Sequence, residues 1–186
     1  MIFDFTRCGK SIHFRGLRLN EDGIPEIVGF REHGFITTEV TASQYGIYRH
    51  QLYEKTGDRK HLDAAIRCAE WLDENSEGKG DWGLLYSLRD YGENWGELAH
   101  GALEPLFHRV DNGGLKNAID DYKFFEEYPS SPPSATLNGF IYILLVLHFF
   151  SENGYERAGE YFSEFSCSLA ENLHRYDTGY WTSYDL

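Results

Sequence analysis

The sequence predicts a mainly α-helical fold of stacked antiparallel helical hairpins, with short strands or extended arms near the N-terminus and between helices. Apolar residues recur at three- and four-residue spacing along several segments, as they do on one face of a helix. Glycine turns divide these segments into two pairs, and the two pairs resemble each other weakly. Repeated hairpins bury their apolar faces by stacking on neighbours, so we expect an arc or ring of hairpins.

The first 33 residues show no sustained periodicity. Turn residues cluster around Asp22-Gly23 and Pro25, and residues 12–15 and 24–30 are expected to form short strands or extended arms. We therefore predict an N-terminal extended segment over residues 1–33 and a helical domain over residues 34–186.

The first predicted hairpin joins helices over about residues 35–54 and 59–75. Gly57 fits the left-handed position that ends a helix. Asp58 follows directly and fits the N-cap of the next helix. Two apolar faces joined by so short a connection predict antiparallel helices.

Three further helices are predicted over residues 95–110, 134–152 and 155–175. Pro105 has no backbone donor, so we expect a kink or a late helix start there. The last two helices form a second hairpin around Asn153-Gly154.

Composition excludes several classes of partner. The formal net charge of -13 argues against a general nucleic-acid binder. The longest apolar run, residues 140–150, is shorter than the ~20 residues that cross a membrane. The N-terminus lacks the apolar core of a signal peptide. These features predict a soluble, cytoplasmic protein with no membrane partner.

The three cysteines are far apart in the sequence: Cys8, Cys68 and Cys167. Their spacing matches neither a metal site nor a disulfide framework. Cys68 and Cys167 fall within helical patterns, and we predict that both are buried thiols. No metal site is predicted.

One polar stretch stands out between the third and fourth helices. Glu127 and Tyr128 precede Pro129, and a residue before proline favours extended geometry. Asn138 lies within a dozen residues of this pair, at the start of a long apolar helix. Carboxylate, phenol and amide are therefore expected to form a polar pocket beside a helix N-terminus. The same residues also fit a solvated turn followed by an ordinary helix start.

Three blocks in the same order resemble the C-terminal domain of the D-glucuronyl C5-epimerases. They are Glu-Glu-Tyr-Pro at 126–129, Leu-Asn-Gly-Phe-Ile-Tyr at 137–142, and Tyr-Asp-Thr-Gly at 176–179 with Tyr-Asp-Leu at 184–186. The likeness extends from about residue 37 to the end of the sequence.

The resemblance implies an α/α toroid that inverts C5 of glucuronate units in a heparosan-like polymer, giving iduronate. The C5 hydrogen is a very weak acid, so one group must remove the proton from one face and another must return it to the opposite face. Pre-placed donors must also hold the developing enolate charge. No redox cofactor is needed, and the expected partner is a uronate-containing polysaccharide.

The resemblance assigns catalytic positions to Glu127, Tyr128 and Tyr184. It places Asn138 and Tyr142 along the sugar site. Tyr184 is then expected to fold back and face the acid-phenol pair across a gap the width of a sugar.

Trp95 and His100 lie near another substrate-facing loop of the family, although a core role is favoured for both. An anionic polymer would also need a local basic patch. Four N-terminal cations are candidates, although a plain solvated surface is the favoured explanation for them: Arg7, Lys10, Arg15 and Arg18.

The sequence departs from the family in three ways. The family continues beyond Tyr-Asp-Leu with a basic residue and a further catalytic tyrosine, whereas this sequence stops at Leu186. One helix before the Gly113-Gly114 turn is absent, and so is the N-terminal β portion, which in some members holds calcium. We therefore expect a truncated or degenerate relative, or a fragment that another chain completes. The open helix edge predicts a homo-oligomer, and the alternatives to an epimerase are a non-catalytic carbohydrate-binding or scaffold protein and a uronate lyase.

Overall fold

The computed structural model describes residues 17–28, 34–75 and 82–186. The chain divides into two compact units, an N-terminal unit that ends at Ala102 and a C-terminal unit that spans Leu103–Leu186. Most described residues are helical, with a few short antiparallel strands. The predicted mainly α fold is confirmed, and the strand predicted over residues 12–15 lies outside the described residues.

The N-terminal unit begins with a small antiparallel sheet and continues with helices. The sheet has the order β1-β2-β3. The elements are β1 (Arg18–Leu19), β2 (Pro25–Val28), β3 (Phe35–Ile36), α1 (Glu39–Thr56), α2 (Arg59–Asn75), α3 (Trp82–Ser87) and α4 (Trp95–Gly101).

Two caps of the α1–α2 hairpin, at Gly57 and Asp58, are those that the sequence predicts, and a third is at Thr38. Thr38 caps α1 by accepting a hydrogen bond from the Thr41 backbone N–H at 3.2 Å. Gly57 ends the helix with φ of 69°, a left-handed conformation that glycine adopts without strain. Asp58 accepts from the Lys60 backbone N–H at 3.1 Å and so caps the start of α2.

Close packing within this unit depends on Gly46 of α1. A β-carbon at Gly46 would overlap the Leu84 side chain and lie 3.1 Å from the Cys68 β-carbon. Cys68 is buried, as predicted, and burial raises the pKa of its thiol to about 12. Cys167 is exposed, so the prediction of a second buried thiol was wrong. The buried face of this last long helix carries Phe165 and Ser168, and Cys167 lies outside that face. Helical spacing in the sequence did not show which face is buried.

The C-terminal unit combines short helical pieces, a β-hairpin and a second helical hairpin. The elements are α5 (Glu104–Phe107), β4 (Lys116–Ile119), β5 (Tyr122–Phe125), α6 (Leu137–Glu152) and α7 (Glu156–Asn172), with 3₁₀ turns over Val110–Asn112 and Leu173–Tyr176.

The helix predicted over residues 95–110 is interrupted. It ends at Gly101 and resumes as α5, with Pro105 in the first turn. Proline fits this position because the first helical N–H groups have no intrahelical partner. The late start expected at Pro105 is therefore confirmed, while the predicted continuation to residue 110 was wrong.

The β4–β5 hairpin lies between two helices, where the sequence predicted short strands or extended arms without giving their positions. Ile119 pairs with Tyr122, which leaves a two-residue turn of Asp120 and Asp121. Asp120 has φ of 55°, a left-handed conformation that aspartate tolerates better than most residues.

An aromatic cluster forms the core of the C-terminal unit. Phe125 of β5 stacks on Phe165 of α7 with ring centroids 4.2 Å apart, and both contact Phe140 of α6. The hairpin is therefore fixed against both long helices. This packing sets where the chain leaves β5 and where it enters α6.

Within the part of the chain that the structure describes, no helix is both long and apolar enough to cross a membrane.

Candidate active site

Glu126 and Glu127 are adjacent in sequence but lie in different environments. The Glu126 side chain is fully buried. Its carboxylate accepts hydrogen bonds from the Asn117 amide at 3.2 Å, from the Ser134 backbone N–H at 2.9 Å and hydroxyl at 2.7 Å, and from the Ala135 backbone N–H at 3.2 Å. A buried carboxylate is tolerated when donors satisfy it in this way. Glu126 therefore fixes the connection between β5 and α6.

A pair of buried tyrosines fixes the same connection from the other side. The Tyr176 hydroxyl donates to the Ala135 carbonyl at 2.6 Å and lies 2.9 Å from the Tyr122 hydroxyl. Ala135 has φ of 47°, which is uncommon for a residue with a side chain. The hydrogen bonds from Tyr176 and to Glu126 hold Ala135 in this conformation.

The last residues of the chain pair with the segment that precedes α6. The Tyr184 carbonyl accepts from the Leu137 backbone N–H at 3.0 Å, and the Leu186 backbone N–H donates to the Ser134 carbonyl at 3.0 Å. Leu137 is the first residue of α6, where N–H groups have no intrahelical partner. Tyr184 therefore caps α6 through its backbone, and this contact places its ring beside the helix N-terminus.

The Glu127 side chain packs against the first turn of α6 at Gly139. A β-carbon at Gly139 would overlap Glu127 Cβ and lie 2.6 Å from Glu127 Oε2. Only glycine leaves room for the carboxylate at this position. No pattern in the sequence alone distinguishes this role of Gly139 from that of an ordinary helix-start residue.

The structure brings together Glu127, Tyr128 and Tyr184. The Tyr184 hydroxyl lies 3.4 Å from Glu127 Oε2. This distance exceeds the usual O–H···O range of about 2.5–3.0 Å, so the two groups are close neighbours rather than a tight pair. Tyr128 and Tyr184 are 63% and 56% exposed. Tyr184 thus folds back as expected, but it contacts the acid directly, without the predicted gap the width of a sugar.

The Glu127 carboxylate alters the titration of Tyr128. A hydrogen bond to Glu127 raises the pKa of Tyr128, and the Glu127 charge adds to the effect. The carboxylate stabilises the protonated phenol and disfavours a second negative charge beside it. Tyr128 therefore holds its proton at neutral pH and is a weaker acid than an ordinary phenol.

Asn138 and Tyr142 both lie on α6 and are both exposed. They are four residues apart, so they occupy one face of the helix. Asn138 neighbours Gly139, against which Glu127 packs. The amide and a third phenol are therefore presented from the first two turns of this helix.

Trp95 and His100 belong to the N-terminal unit. Trp95 is buried, and its indole N–H donates to Asp73 at 3.3 Å. His100 is exposed, and its ring stacks on Tyr86 with centroids 5.6 Å apart. The core role favoured for both residues fits Trp95 but not His100.

The described cations of the C-terminal unit have partners of their own. Three form ion pairs with carboxylates: Arg109 with Asp111, Lys123 with Glu164, and Arg157 with Glu104. The other two contact tyrosines: Lys116 donates to Tyr161, and Arg175 lies over the Tyr122 ring.

Of the predicted basic patch, Arg7, Lys10 and Arg15 lie outside the described residues. Arg18 pairs with Glu26 at 2.9 Å. Among the described residues, no group of three or more His, Cys, Asp and Glu side chains is arranged to hold a metal ion.

The sequence model of the family described as D-glucuronyl C5-epimerase C-terminus matches residues 92–186, slightly more than half of the chain. The chain belongs to this family. The matched residues include Glu127, Tyr128 and Tyr184 as well as Trp95 and His100.

The chain is also similar to a D-glucuronyl C5-epimerase of Caenorhabditis elegans. The two are 31% identical over 171 aligned residues, which cover 68% of this chain and 28% of the relative. The chain therefore spans little more than a quarter of the length of this curated relative.

Proposed function

We propose that the C-terminal unit carries the proton-transfer site of a uronate C5-epimerase and acts on glucuronate units of a polysaccharide. The observation that carries this proposal is the convergence of Glu127, Tyr128 and Tyr184, which come from two segments far apart in sequence. One carboxylate and two phenols provide an acceptor and donors for moving a proton. Membership of the family supports the choice of substrate class.

In the proposed reaction, the Glu127 carboxylate removes the C5 proton from one face of the sugar. A tyrosine, for which we assign Tyr128, returns a proton to the opposite face. After the product has left, the proton on Glu127 passes to the Tyr128 phenolate and restores both groups. Asn138 and Tyr184 donate hydrogen bonds to the carboxylate of the sugar while it carries the enolate charge.

The 3.4 Å contact between Tyr184 and Glu127 leaves no space for a sugar ring between them. Both tyrosines are more than half exposed. Exposed side chains change rotamer on the picosecond-to-nanosecond scale. The rings therefore turn away from Glu127 to admit the sugar.

The test is solvent deuterium exchange at C5 of a glucuronate polymer, followed by NMR. The Glu127→Gln variant keeps the size of the side chain but removes the base, so exchange should fall by about 10²–10⁴-fold. Tyr128→Phe should lower the rate by a similar factor. Glu160→Gln on α7 and Tyr91→Phe in the N-terminal unit, both exposed, are matched controls and should exchange like the parent.

The pH profile offers a second readout. Because the pKa of Tyr128 is raised, its donor form persists through neutral pH, and exchange should decline only above about pH 10, the ordinary range of a phenol.

Three results would contradict the proposal. One is a folded parent that shows no exchange. Another is a new ultraviolet absorbance on addition of polymer, which indicates a lyase that expels the C4 substituent. The third is polymer binding that Glu127→Gln and Tyr128→Phe leave unchanged, with no turnover in the parent, which indicates a binding or scaffold protein.

A further inference from the structure

Two neighbouring aromatic side chains are more exposed than any other large apolar side chain among the described residues. Tyr180 is 90% exposed and Trp181 is 76% exposed. Single exposed apolar residues are common on protein surfaces, but adjacent large rings mark places where a partner binds. Neither residue has a role in the proposed proton transfer.

The turn that carries these rings is ordered by its own hydrogen bonds. The Thr178 backbone N–H and hydroxyl both donate to the Trp181 carbonyl, at 2.9 and 2.8 Å. The Ser183 backbone N–H donates to the carbonyl of Tyr176 at 2.7 Å, and the Tyr176 ring is buried in the core. The two exposed rings are therefore held on a turn that is anchored in the core.

The same turn leads directly into the candidate active site. Trp181 is three residues before Tyr184, whose hydroxyl contacts Glu127. Three residues of extended chain span at most ~11 Å between α-carbons. A polysaccharide with one sugar at Glu127 therefore reaches Trp181 within a few sugar units.

Charge alone does not explain how an anionic polymer would bind here. The formal net charge of the chain is -13. The described cations of the C-terminal unit all contact carboxylates or tyrosines of that unit. The C–H face of a sugar ring carries no charge, and an aromatic ring binds it without a cation. Aromatic rings also provide large, rigid contact areas at low entropic cost.

We propose that Tyr180 and Trp181 form an accessory subsite that stacks on sugar rings next to the unit bound at Glu127. The subsite takes the uncharged ring faces of a glucuronate-containing polysaccharide. This inference rests on the proposed function, because it assigns the same polymer to both places. It adds a contact that selects for chain length rather than for charge.

The experiment measures the affinity of glucuronate oligosaccharides of increasing length, separately from exchange at C5. In the parent, affinity should rise when the oligosaccharide becomes long enough to reach Trp181. Trp181→Ala should weaken binding of the long oligosaccharide by about tenfold, the size of one good aromatic contact. Binding of the shortest oligosaccharide should not change.

Two further variants serve as controls. Trp181→Phe keeps a ring and should retain most of the affinity. Leu173→Ala is the control for loss of an exposed apolar side chain in the same unit.

Salt provides an independent readout. Screening weakens charge–charge attraction but not stacking. The part of the affinity that depends on Trp181 should therefore persist as ionic strength rises, whereas binding through cations would be lost.

The outcomes separate the two proposals. A parent that binds long oligosaccharides but shows no exchange contradicts the epimerase proposal, and the Trp181 variants still decide the subsite. A parent that exchanges, together with a Trp181→Ala variant of unchanged affinity for every length, overturns the subsite. A parent that does not bind the polymer also overturns it. A Trp181→Ala variant that binds the polymer like the parent but has a different mass in solution would also overturn the subsite, because the rings would then serve self-association.

Discussion

At the scale of single residues, adjacent positions with the same chemistry have different roles. Glu126 is buried and satisfied by four donors from the surrounding chain, whereas Glu127 reaches the surface beside two phenols. The sequence block Glu-Glu-Tyr-Pro does not distinguish the two. The resemblance to the family assigns the catalytic position to Glu127, and only the structure shows that Glu126 is buried.

Gly139 offers a direct test of how closely Glu127 must be held. In Gly139→Ala, the new methyl group would overlap Glu127 and displace its carboxylate. Overpacking costs about 1–3 kcal/mol, and the gain in helix propensity from glycine to alanine offsets up to ~1 kcal/mol of this. We therefore expect a small loss of thermal stability and a fall of about 10²-fold in deuterium exchange at C5.

Gly101→Ala is the control for this substitution, because a β-carbon there meets nothing within 4 Å. It should leave exchange unchanged. Parental exchange rates in Gly139→Ala would show that the position of Glu127 against α6 is not needed for the reaction.

At the scale of elements, much of the helical framework was predictable, whereas the positions of the strands in the C-terminal unit were not. Gly57 and Asp58 mark the first hairpin in the sequence because each suits its backbone position. The β4–β5 hairpin has strands of only four residues and an Asp-Asp turn, and neither gives a strong local signal. Phe125 of this hairpin stacks on Phe165 of α7, and sequence periodicity does not reveal such a contact.

The candidate site was predictable only in part, for the same reason. Tyr184 was assigned through the family resemblance, but its contact with Glu127 depends on the backbone pairing between the end of the chain and the start of α6. Contacts between segments so distant in sequence leave no local pattern.

The buried tyrosine pair that joins β5 to the 3₁₀ turn after α7 predicts loss of stability at high pH. Burial raises the pKa values of Tyr122 and Tyr176. In the unfolded chain both phenols titrate near ~10. Their contribution to the free energy of unfolding is therefore fully present below about pH 10 and is lost as pH rises through the higher folded pKa values.

Denaturant unfolding between neutral pH and pH 11 would measure this effect. Tyr122→Phe removes one titrating group while keeping the ring, so its stability should fall less steeply with pH than that of the parent. At neutral pH the same variant should lose only about 1 kcal/mol, the net value of one hydrogen bond. Tyr91→Phe, which alters an exposed phenol, should reproduce the parental pH dependence. Equal slopes for the parent and Tyr122→Phe would contradict the assignment.

At the scale of the whole molecule, two opposing properties govern association. The formal net charge of -13 makes copies of the chain repel one another. At the same time, α6 exposes two large apolar side chains, Ile141 and Tyr142. Exposed apolar surface on a helix favours association with another surface.

We predict that the chain self-associates and that added salt strengthens the association. Salt reduces the Debye length from about 30 Å at 0.01 M to about 10 Å at 0.1 M, which screens the repulsion and leaves apolar contacts intact. Light scattering should therefore show a mass that rises with both protein concentration and ionic strength.

Ile141→Asp should keep the protein monomeric, because it places a charge in the contact. Leu173→Asp adds the same charge at an exposed apolar position outside α6 and should associate like the parent. A parent that stays monomeric at high concentration and high salt would show that α6 does not mediate contacts between copies, and equal effects of the two aspartates would show that net charge alone controls the association.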